Sequence, residues 1–286
     1  MRLCGYSKRA RMTSGPERFG FGDNWSRFLD RLTEERIGEA RRSLVAMLGS
    51  DQIAGKTFLD VGCGSGLFSL AAFQLGARHV RSFDYDEHSV SCAEALRAQY
   101  GDGSDRWTVE RGDILDEAYV TSLGTWDIVY SWGVLHHTGD MWRAIQKAAL
   151  LPGARGQMFI SIYNDQGIRS RVWRHVKRTY NRAPQGLRPV IVGAVMLPRE
   201  ALSFLAHTAK GRPHDYLRSW SQYRRKRGMS RWHDMVDWVG GYPFEVAAPD
   251  AVFRFLSANG FTLSELMTCG GSLGCNQFVF QRSQTP

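Results

Sequence analysis

Apolar positions along this 286-residue chain change period several times, and each change marks an element. From Asn24 to Leu48 they recur at steps of three and four: Phe28 and Leu32, then Ile37, Ala40, Leu44 and Met47. That spacing predicts an amphipathic helix. From Thr57 the runs are short and continuous. TFLDV predicts a buried strand that passes through GCGSG into an apolar helix, LFSLAAFQLG. HVRSFDYD predicts a second strand, followed by a helix from Glu87 to Tyr100. WTVERGD is a third strand. WDIVYSWGVLHH is a fourth, with a helix from Gly139 to Leu150 after it, and QMFISIYN is a fifth, entered through LPGARG. Strands alternating with helices predict a parallel sheet covered on both faces.

After Asn164 the alternation stops. Two amphipathic helices are predicted in the stretch 163–245, one with Val172, Trp173, Val176 and Tyr180 on a face, the other with Tyr216, Trp220 and Tyr223. The run from Pro189 to Leu197, closed by Pro198, Arg199 and Glu200, is far shorter than the roughly 20 apolar residues of a membrane span. Alternation returns with a helix around Asp250 to Ala258. FTLSELMTCG and NQFVFQR, joined through GSLG, then read as an antiparallel hairpin.

Composition changes this picture in two places. The net charge is +9, yet residues 163–245 hold 16 basic and 6 acidic residues, so the insertion carries the excess and the remainder is close to neutral. Cys4, Cys63, Cys92, Cys269 and Cys275 are odd in number and form no CxxC pair. That argues against a disulfide scaffold or a zinc site and for a reducing, cytoplasmic compartment, so no metal is expected. The first 16 residues are basic without an apolar run, unlike a secretory signal.

The chemistry gathers where strands end. The first strand closes on Asp60-Val61-Gly62-Cys63-Gly64-Ser65-Gly66. Glycines between a strand and a helix let a ligand approach the backbone and free the first N–H groups of the helix. Asp84 ends the second strand, where a carboxylate can accept both hydroxyls of a ribose. Asp113, in Gly112-Asp113-Ile114, ends the third. A dinucleotide fingerprint would need Gly or Ala where Leu67 stands, and the Lys-Ser/Thr ending of a P-loop is missing.

The D-x-G-x-G-x-G loop, with Asp84, Asp113 and SWGVLHHT in order, resembles class I S-adenosylmethionine-dependent methyltransferases over residues 51–162 and 246–286. The resemblance implies a doubly wound, Rossmann-like α/β fold with a seven-stranded sheet in the order 3-2-1-4-5-7-6, the seventh strand antiparallel. It implies that Asp60, Gly62, Gly64 and Gly66 hold the methionine part of S-adenosylmethionine and Asp84 the ribose. Tyr85 would lie on the adenine, Asp113 would bond its amino group, Ile114 would lie beside the ring, and Ser131 and Trp132 would border the methyl group. S-adenosylhomocysteine would be the product. The turn LPGARGQ is longer than in many relatives and is expected to lengthen a loop. RFGFGDNWSRFL, YNDQG and WHDMVDWVGGYPFE further resemble one subgroup of bacterial type 12 methyltransferases, which implies no acceptor.

The expected division is an N-terminal arm and helical lid over 1–50, a cofactor-binding core over 51–162, a helical cap over 163–245 and the end of the core over 246–286. His136, His137, Tyr163 and His233 are the candidate acid–base groups. For the histidine pair the alternative is a tie between the loop and a neighbouring strand. Trp25, Phe28, Asn164, Asp234, Asp237, Trp238 and Tyr242 are candidate acceptor walls, since polar groups framed by aromatics suit a pocket. For the helical ones the alternative is an amphipathic helix anchored by Trp238 with its acids in solvent. The expected activity is methylation of a small organic acceptor on oxygen, nitrogen or carbon. A peptide or RNA methyltransferase and a non-catalytic S-adenosylmethionine-binding protein are the other readings. The basic cap suits an acidic acceptor or peripheral contact with a membrane. Nucleic acid ranks lower, because no RNA-binding module is visible.

Overall fold

The computed structural model describes Phe19 and residues 32–227, 231–272 and 274–283. The first described helix, α1 (Glu34–Leu48), buries Ile37, Ala40, Leu44 and Met47, the face expected from their spacing, and Thr33 caps it. Trp25 and Phe28 lie outside the described residues.

The core is β1 (Thr57–Val61), α2 (Leu67–Gln74), β2 (His79–Asp84), α3 (Glu87–Tyr100), β3 (Trp107–Arg111), α4 (Glu117–Ser122), β4 (Trp126–Trp132), α5 (Met141–Ala148) and β5 (Pro152–Tyr163). Four helices follow: α6 (Ile168–Arg182), α7 (Arg188–Ala209), α8 (Pro213–Arg227) and α9 (Arg231–Gly240). The chain closes with α10 (Pro249–Ala258), β6 (Phe261–Met267) and β7 (Cys275–Arg282). The strands form one sheet in the order β3-β2-β1-β4-β5-β7-β6. β1 runs parallel to β2 and β4, while β7 pairs antiparallel with both β5 and β6. This is the expected seven-stranded order.

The continuous apolar strands follow from that topology. Phe58, Leu59 and Val61 are fully buried, because helices cover both faces of the parallel part. One apolar cluster joins Leu59, Val129, Met158, Ile160 and Phe280 to α5 and α10. The other joins Phe58, Ile128, Tyr130 and Phe159 to α1 and α2. Asp86 and Asp116 cap α3 and α4 with their side chains, which fixes where β2 and β3 stop.

Three expectations need correction. LPGARGQ does not lengthen a loop: Pro152 to Gly156 lie inside β5, and the pairing with β4 shifts register between Trp126 and Ile128. The extra residues are absorbed as a bulge. Gly156 is required there, because a Cβ would stand 2.7 Å from the Trp126 carbonyl oxygen. The insertion contains four helices among the described residues, not two. The longest, α7, continues through Pro198, whose missing N–H falls on an exposed stretch of the helix. The segment Gln185–Ala209 is consequently long and apolar enough by length and composition to cross a membrane, and only 17% of its most apolar window is buried. The shorter apolar run read from the sequence stopped at that proline.

The insertion has its own small core of Tyr180, Val192, Met196, Met235 and Val239, against which Trp173, Val176 and Trp238 pack. Phe19 joins it, donating its backbone N–H to the Tyr242 carbonyl at 2.8 Å.

Gly62 is the most constrained position of the glycine loop. Its φ is +75°, and a Cβ would stand 2.3 Å from Val134 Cγ1. Gly62→Ala combines left-handed strain with overpacking and is expected to destabilise the fold by about 3 kcal/mol, measured as a shift in the urea unfolding midpoint. Gly55→Ala, at a similar φ of +73° with nothing within 4 Å, isolates the strain alone.

Candidate active site

The glycine loop, the ends of β2 and β3 and the end of β4 lie side by side at the carboxyl edge of the sheet. Gly62 and Cys63 donate their N–H groups to the Phe83 carbonyl, which ties the loop to β2. Asp84 Oδ2 accepts the Gly64 N–H at 3.0 Å, and Oδ1 accepts the Asp86 N–H at 2.9 Å. Burial outweighs these two bonds and pushes the Asp84 carboxyl up to about 6. Each oxygen keeps a further lone pair, so the half-buried group is an acceptor for added hydroxyl donors.

Asp60 lies deeper. It accepts from Ser69 Oγ at 2.5 Å, and Ser69 in turn accepts from Ser82 Oγ. Desolvation pushes its pKa up to about 7. It orders the base of the loop and stands close enough to Asp84 for each charge to oppose the other. Gly66, at φ +79°, opens α2. Tyr85 is exposed with the Arg111 guanidinium 5.7 Å from its ring centre. Asp113 Oδ1 accepts the Leu115 N–H at 2.9 Å, and Ile114 beside it is buried. A ribose and an adenine fit this set of acids and flat side chains, with the glycine loop as floor.

Ser131 and Trp132 separate. Ser131 is fully buried, and its hydroxyl donates to the Val61 carbonyl at 3.1 Å, so it ties β4 to β1 beneath the loop. Trp132 is 45% exposed and faces outward, its ring 6.3 Å from that of Phe68 on α2. Trp132 also lines a cavity of about 1250 Å³ between core and insertion.

That cavity brings together Trp132, Tyr163, Asp234, Asp237 and Trp238 of the expected residues. Asp234 accepts from the Tyr223 hydroxyl at 2.5 Å. Tyr163 ends β5, and burial raises its phenol well above the ordinary value. Trp238 stands edge-on to Tyr163 at 5.9 Å and to Trp173 at 5.4 Å. Lys177 is buried behind this aromatic wall. It donates to the Trp238 carbonyl, with its ammonium nitrogen 4.6 Å from the Trp238 ring centre and 5.0 Å from that of Phe244. Desolvation pulls its pKa down to about 7 while Asp237 holds it up.

Other expected residues are placed elsewhere. His136 is buried under Tyr163, ring centres 4.1 Å apart, and desolvation holds its pKa well below the ordinary value. It packs within the protein and is not a base at the cavity. His137 is half-buried, with Nδ1 2.6 Å from the Pro243 carbonyl oxygen. That contact places the proton on Nδ1 and leaves Nε2 as the acceptor nitrogen. Burial lowers its pKa to about 4, so His137 is neutral at pH 7 and a weak base. The histidine pair therefore ties the loop after β4 to the segment 243–245, since Glu245 also donates its N–H to the His136 carbonyl. Asn164 is corrected in the same way. Its Oδ1 accepts from Asn276 at 3.1 Å, joining β5 to β7. Tyr242 contributes its carbonyl to Phe19 and is not on the cavity wall. The side chain of His233 lies outside the described residues.

Sequence reasoning missed Gln166, Arg169, Met196, Arg199, the Glu200–Arg231 pair and the turn between β6 and β7, all of which line the cavity. They lie on α6 and the loop before it, on α7 and α9 and across the sheet, and no spacing in the chain connects them. Trp173 and Tyr223 carried a signal as helix-face aromatics.

Residues 59–157 match the family described as methyltransferase domain, type 12. A ubiquinone biosynthesis O-methyltransferase from Parvibaculum lavamentivorans is 31% identical over 142 residues, 48% of this chain and 53% of that protein. A ribosomal protein L11 methyltransferase from Thermotoga petrophila is 42% identical over 78 residues, 27% of this chain and 26% of that protein. The chain thus spans about half, or a quarter, of the length of these curated relatives. Among solved structures, magnesium protoporphyrin IX methyltransferase from Synechocystis PCC 6803, with SAH bound, shares the fold. Its TM-score is 0.50 at 16% identity, over 94% of this chain and 90% of that one. The sheet order, the glycine loop and these matches define a Rossmann-like methyltransferase core. Residues 59–157 thus belong to the methyltransferase-domain family, and the sheet around them has the order expected of class I S-adenosylmethionine-dependent methyltransferases.

Proposed function

We propose that this protein binds S-adenosylmethionine at the carboxyl edge of β1, β2 and β3 and methylates a small organic acceptor held in the cavity under the cap. Trp132 carries the reading. Its indole lies 6.3 Å from the Phe68 ring of α2, the helix that follows the glycine loop, and it also lines the cavity, so the two sites share this residue. S-adenosylmethionine, when bound, supplies a methyl group already activated on a sulfonium sulfur, so the protein's work is alignment and exclusion of water.

The residues at hand suit that division. Tyr163, Trp173 and Trp238 offer flat apolar walls, and Arg169, Arg199, Asp234 and Gln166 offer polar ends. An acceptor with a planar body and a polar substituent fits. Among the described residues no histidine lines the cavity, which favours phenolic oxygen, nitrogen or carbon acceptors over an aliphatic alcohol, whose proton needs a strong base. The quinone-pathway relative supports a small acceptor. The L11 methyltransferase relative supports a protein acceptor as a second reading, but its match is confined to 78 residues.

The test is methyl transfer from cofactor labelled in the methyl group into separated small-molecule, protein and RNA fractions of a cell extract. Label in the small-molecule fraction is the expected result. Label only in protein or RNA overturns the acceptor class, and tight cofactor binding with no label anywhere makes the protein a binder. Trp238→Ala should lower turnover at least about tenfold with cofactor affinity unchanged in calorimetry. An equal loss of cofactor affinity would remove Trp238 from the acceptor wall.

A further inference from the structure

The insertion sorts its charges. Glu200 is buried on Arg231, Asp234 is held by Tyr223, and Asp237 stands close enough to the buried Lys177 to hold its ammonium form. Glu245 accepts the Met141 N–H from the core. Asp215 pairs with Arg212. Five of the six acids thus turn inward or are matched, and the sixth, Asp165, is exposed and accepts the Gly167 N–H, while Arg171, Arg178, Arg182, Lys210 and Arg218 are exposed. The exposed charge described on this segment is accordingly mostly positive.

The same segment exposes apolar surface. Helix α7 buries Val192, Met196 and Glu200 on one side. On the other side Val190, Ala194, Leu197, Ala201 and Leu205 follow one another at helical steps and are all exposed, with Val190 at 65%, Leu197 at 63% and Leu205 at 60%. An exposed run of this length on a soluble surface needs a partner. The helix does not leave the fold to find one. Glu200 bonds Arg231 and the Tyr216 hydroxyl, which fixes α7 against α8 and α9. A helix tied down on one face and apolar on the other, with exposed Lys210 just past its end and exposed arginines on the neighbouring α6 and α8, has the composition of one that lies flat in a membrane interface.

We propose that the outer face of α7 docks on an anionic lipid bilayer, its leucines and valines entering the acyl boundary while the surrounding arginines and lysines meet the headgroup charges. The helix lies along the surface and does not span it. The inference is independent of methyl transfer and is tested without turnover.

The experiment is flotation of the purified full chain with vesicles of phosphatidylcholine alone or with phosphatidylglycerol at one part in three. The protein should float with the anionic vesicles, and 0.5 M salt should weaken but not abolish the association, because the apolar part is not screened. The double variant Leu197→Asp with Leu205→Asp should lose at least about tenfold in binding. Its thermal midpoint and cofactor affinity should match the parent, since both side chains are exposed. Four outcomes overturn the proposal. The variant floats as well as the parent. Neutral vesicles bind as tightly as anionic ones. Light scattering shows a parent dimer that the variant breaks while vesicles bind neither form, which would make α7 a contact between two copies. Displacement from vesicles by a short RNA, with no effect of the double variant, would assign the charge to nucleic acid and overturn it as well.

Discussion

Asp84→Asn is expected to weaken S-adenosylmethionine binding roughly 10- to 100-fold at pH 8, because hydrogen bonds to a charged acceptor contribute about 1.5–3 kcal/mol. The substitution keeps the shape and the Gly64 contact but removes the charge that would take two ribose hydroxyls. The parent protein should also show a pH dependence of its own. The free carboxyl is pushed up to about 6 by burial, and its ionised form is the one that accepts from hydroxyls. Affinity should therefore rise as pH increases through 6 and level off above it. At pH 5 most of the free protein carries the proton on Asp84, and binding should be about tenfold weaker than at pH 8. The substituted amide cannot titrate, so the variant should lose the step near 6. Calorimetry at pH 5, 6, 7 and 8 on both proteins reads this directly. A parent affinity that is flat across that range, or a variant that keeps the step near 6, would remove Asp84 from the ribose site.

That this residue could be singled out reflects what a parallel sheet imposes on sequence. Strands buried on both faces must be continuous apolar runs, so β1, β2, β4 and most of β5 stand out against their surroundings. Their carboxyl ends must face the ligand side. Asp60, Asp84 and Asp113 were therefore legible as a set from position alone. What lay outside that logic was less visible. Ser131 and Trp132 are neighbours in β4, and alternation along a strand sends one into the core and the other to the cavity. His136 and His137 are adjacent as well, yet one is buried beneath Tyr163 and both are spent on ties to neighbouring segments. Proline misled at α7: a breaker in the chain became an interior residue of the longest described helix, because the opposite side of that helix is held by Val192, Met196 and Glu200. The cavity between core and insertion was the least legible feature. Its walls come from the ends of β4 and β5, four insertion helices and the turn between β6 and β7, which meet only once the insertion folds back over the sheet.

The second large effect is expected at Arg231. Its guanidinium meets the Glu200 carboxylate at 2.8 Å and donates to Ser219 Oγ at 3.1 Å. It lies 5.0 Å from the ring centre of Trp220, 5.4 Å from that of Tyr223 and 5.8 Å from that of Tyr216. One side chain thus joins α7, α8 and α9. Arg231→Ala leaves the Glu200 carboxylate buried and without its cation, which costs about 3–5 kcal/mol. The cost falls on the insertion, whose apolar cluster shares no residue with the two clusters of the sheet. The variant should therefore be cut within residues 185–227 by a limited dose of protease that spares the parent. Methyl transfer should fall about 100-fold because the acceptor wall is displaced. Cofactor affinity should stay within about twofold, since the glycine loop, Asp84 and Asp113 rest on the core. The pair Arg231→Met with Glu200→Met separates charge from packing. Replacing both partners by apolar side chains of similar volume is often neutral, so the double variant should recover protease resistance that the single variant loses. A single variant that resists protease and turns over like the parent would show that the ion pair does not hold the cap. A double variant as fragile as the single one would show that the stacking of the guanidinium on the three rings, not the buried charge pair, is what binds α7, α8 and α9 together.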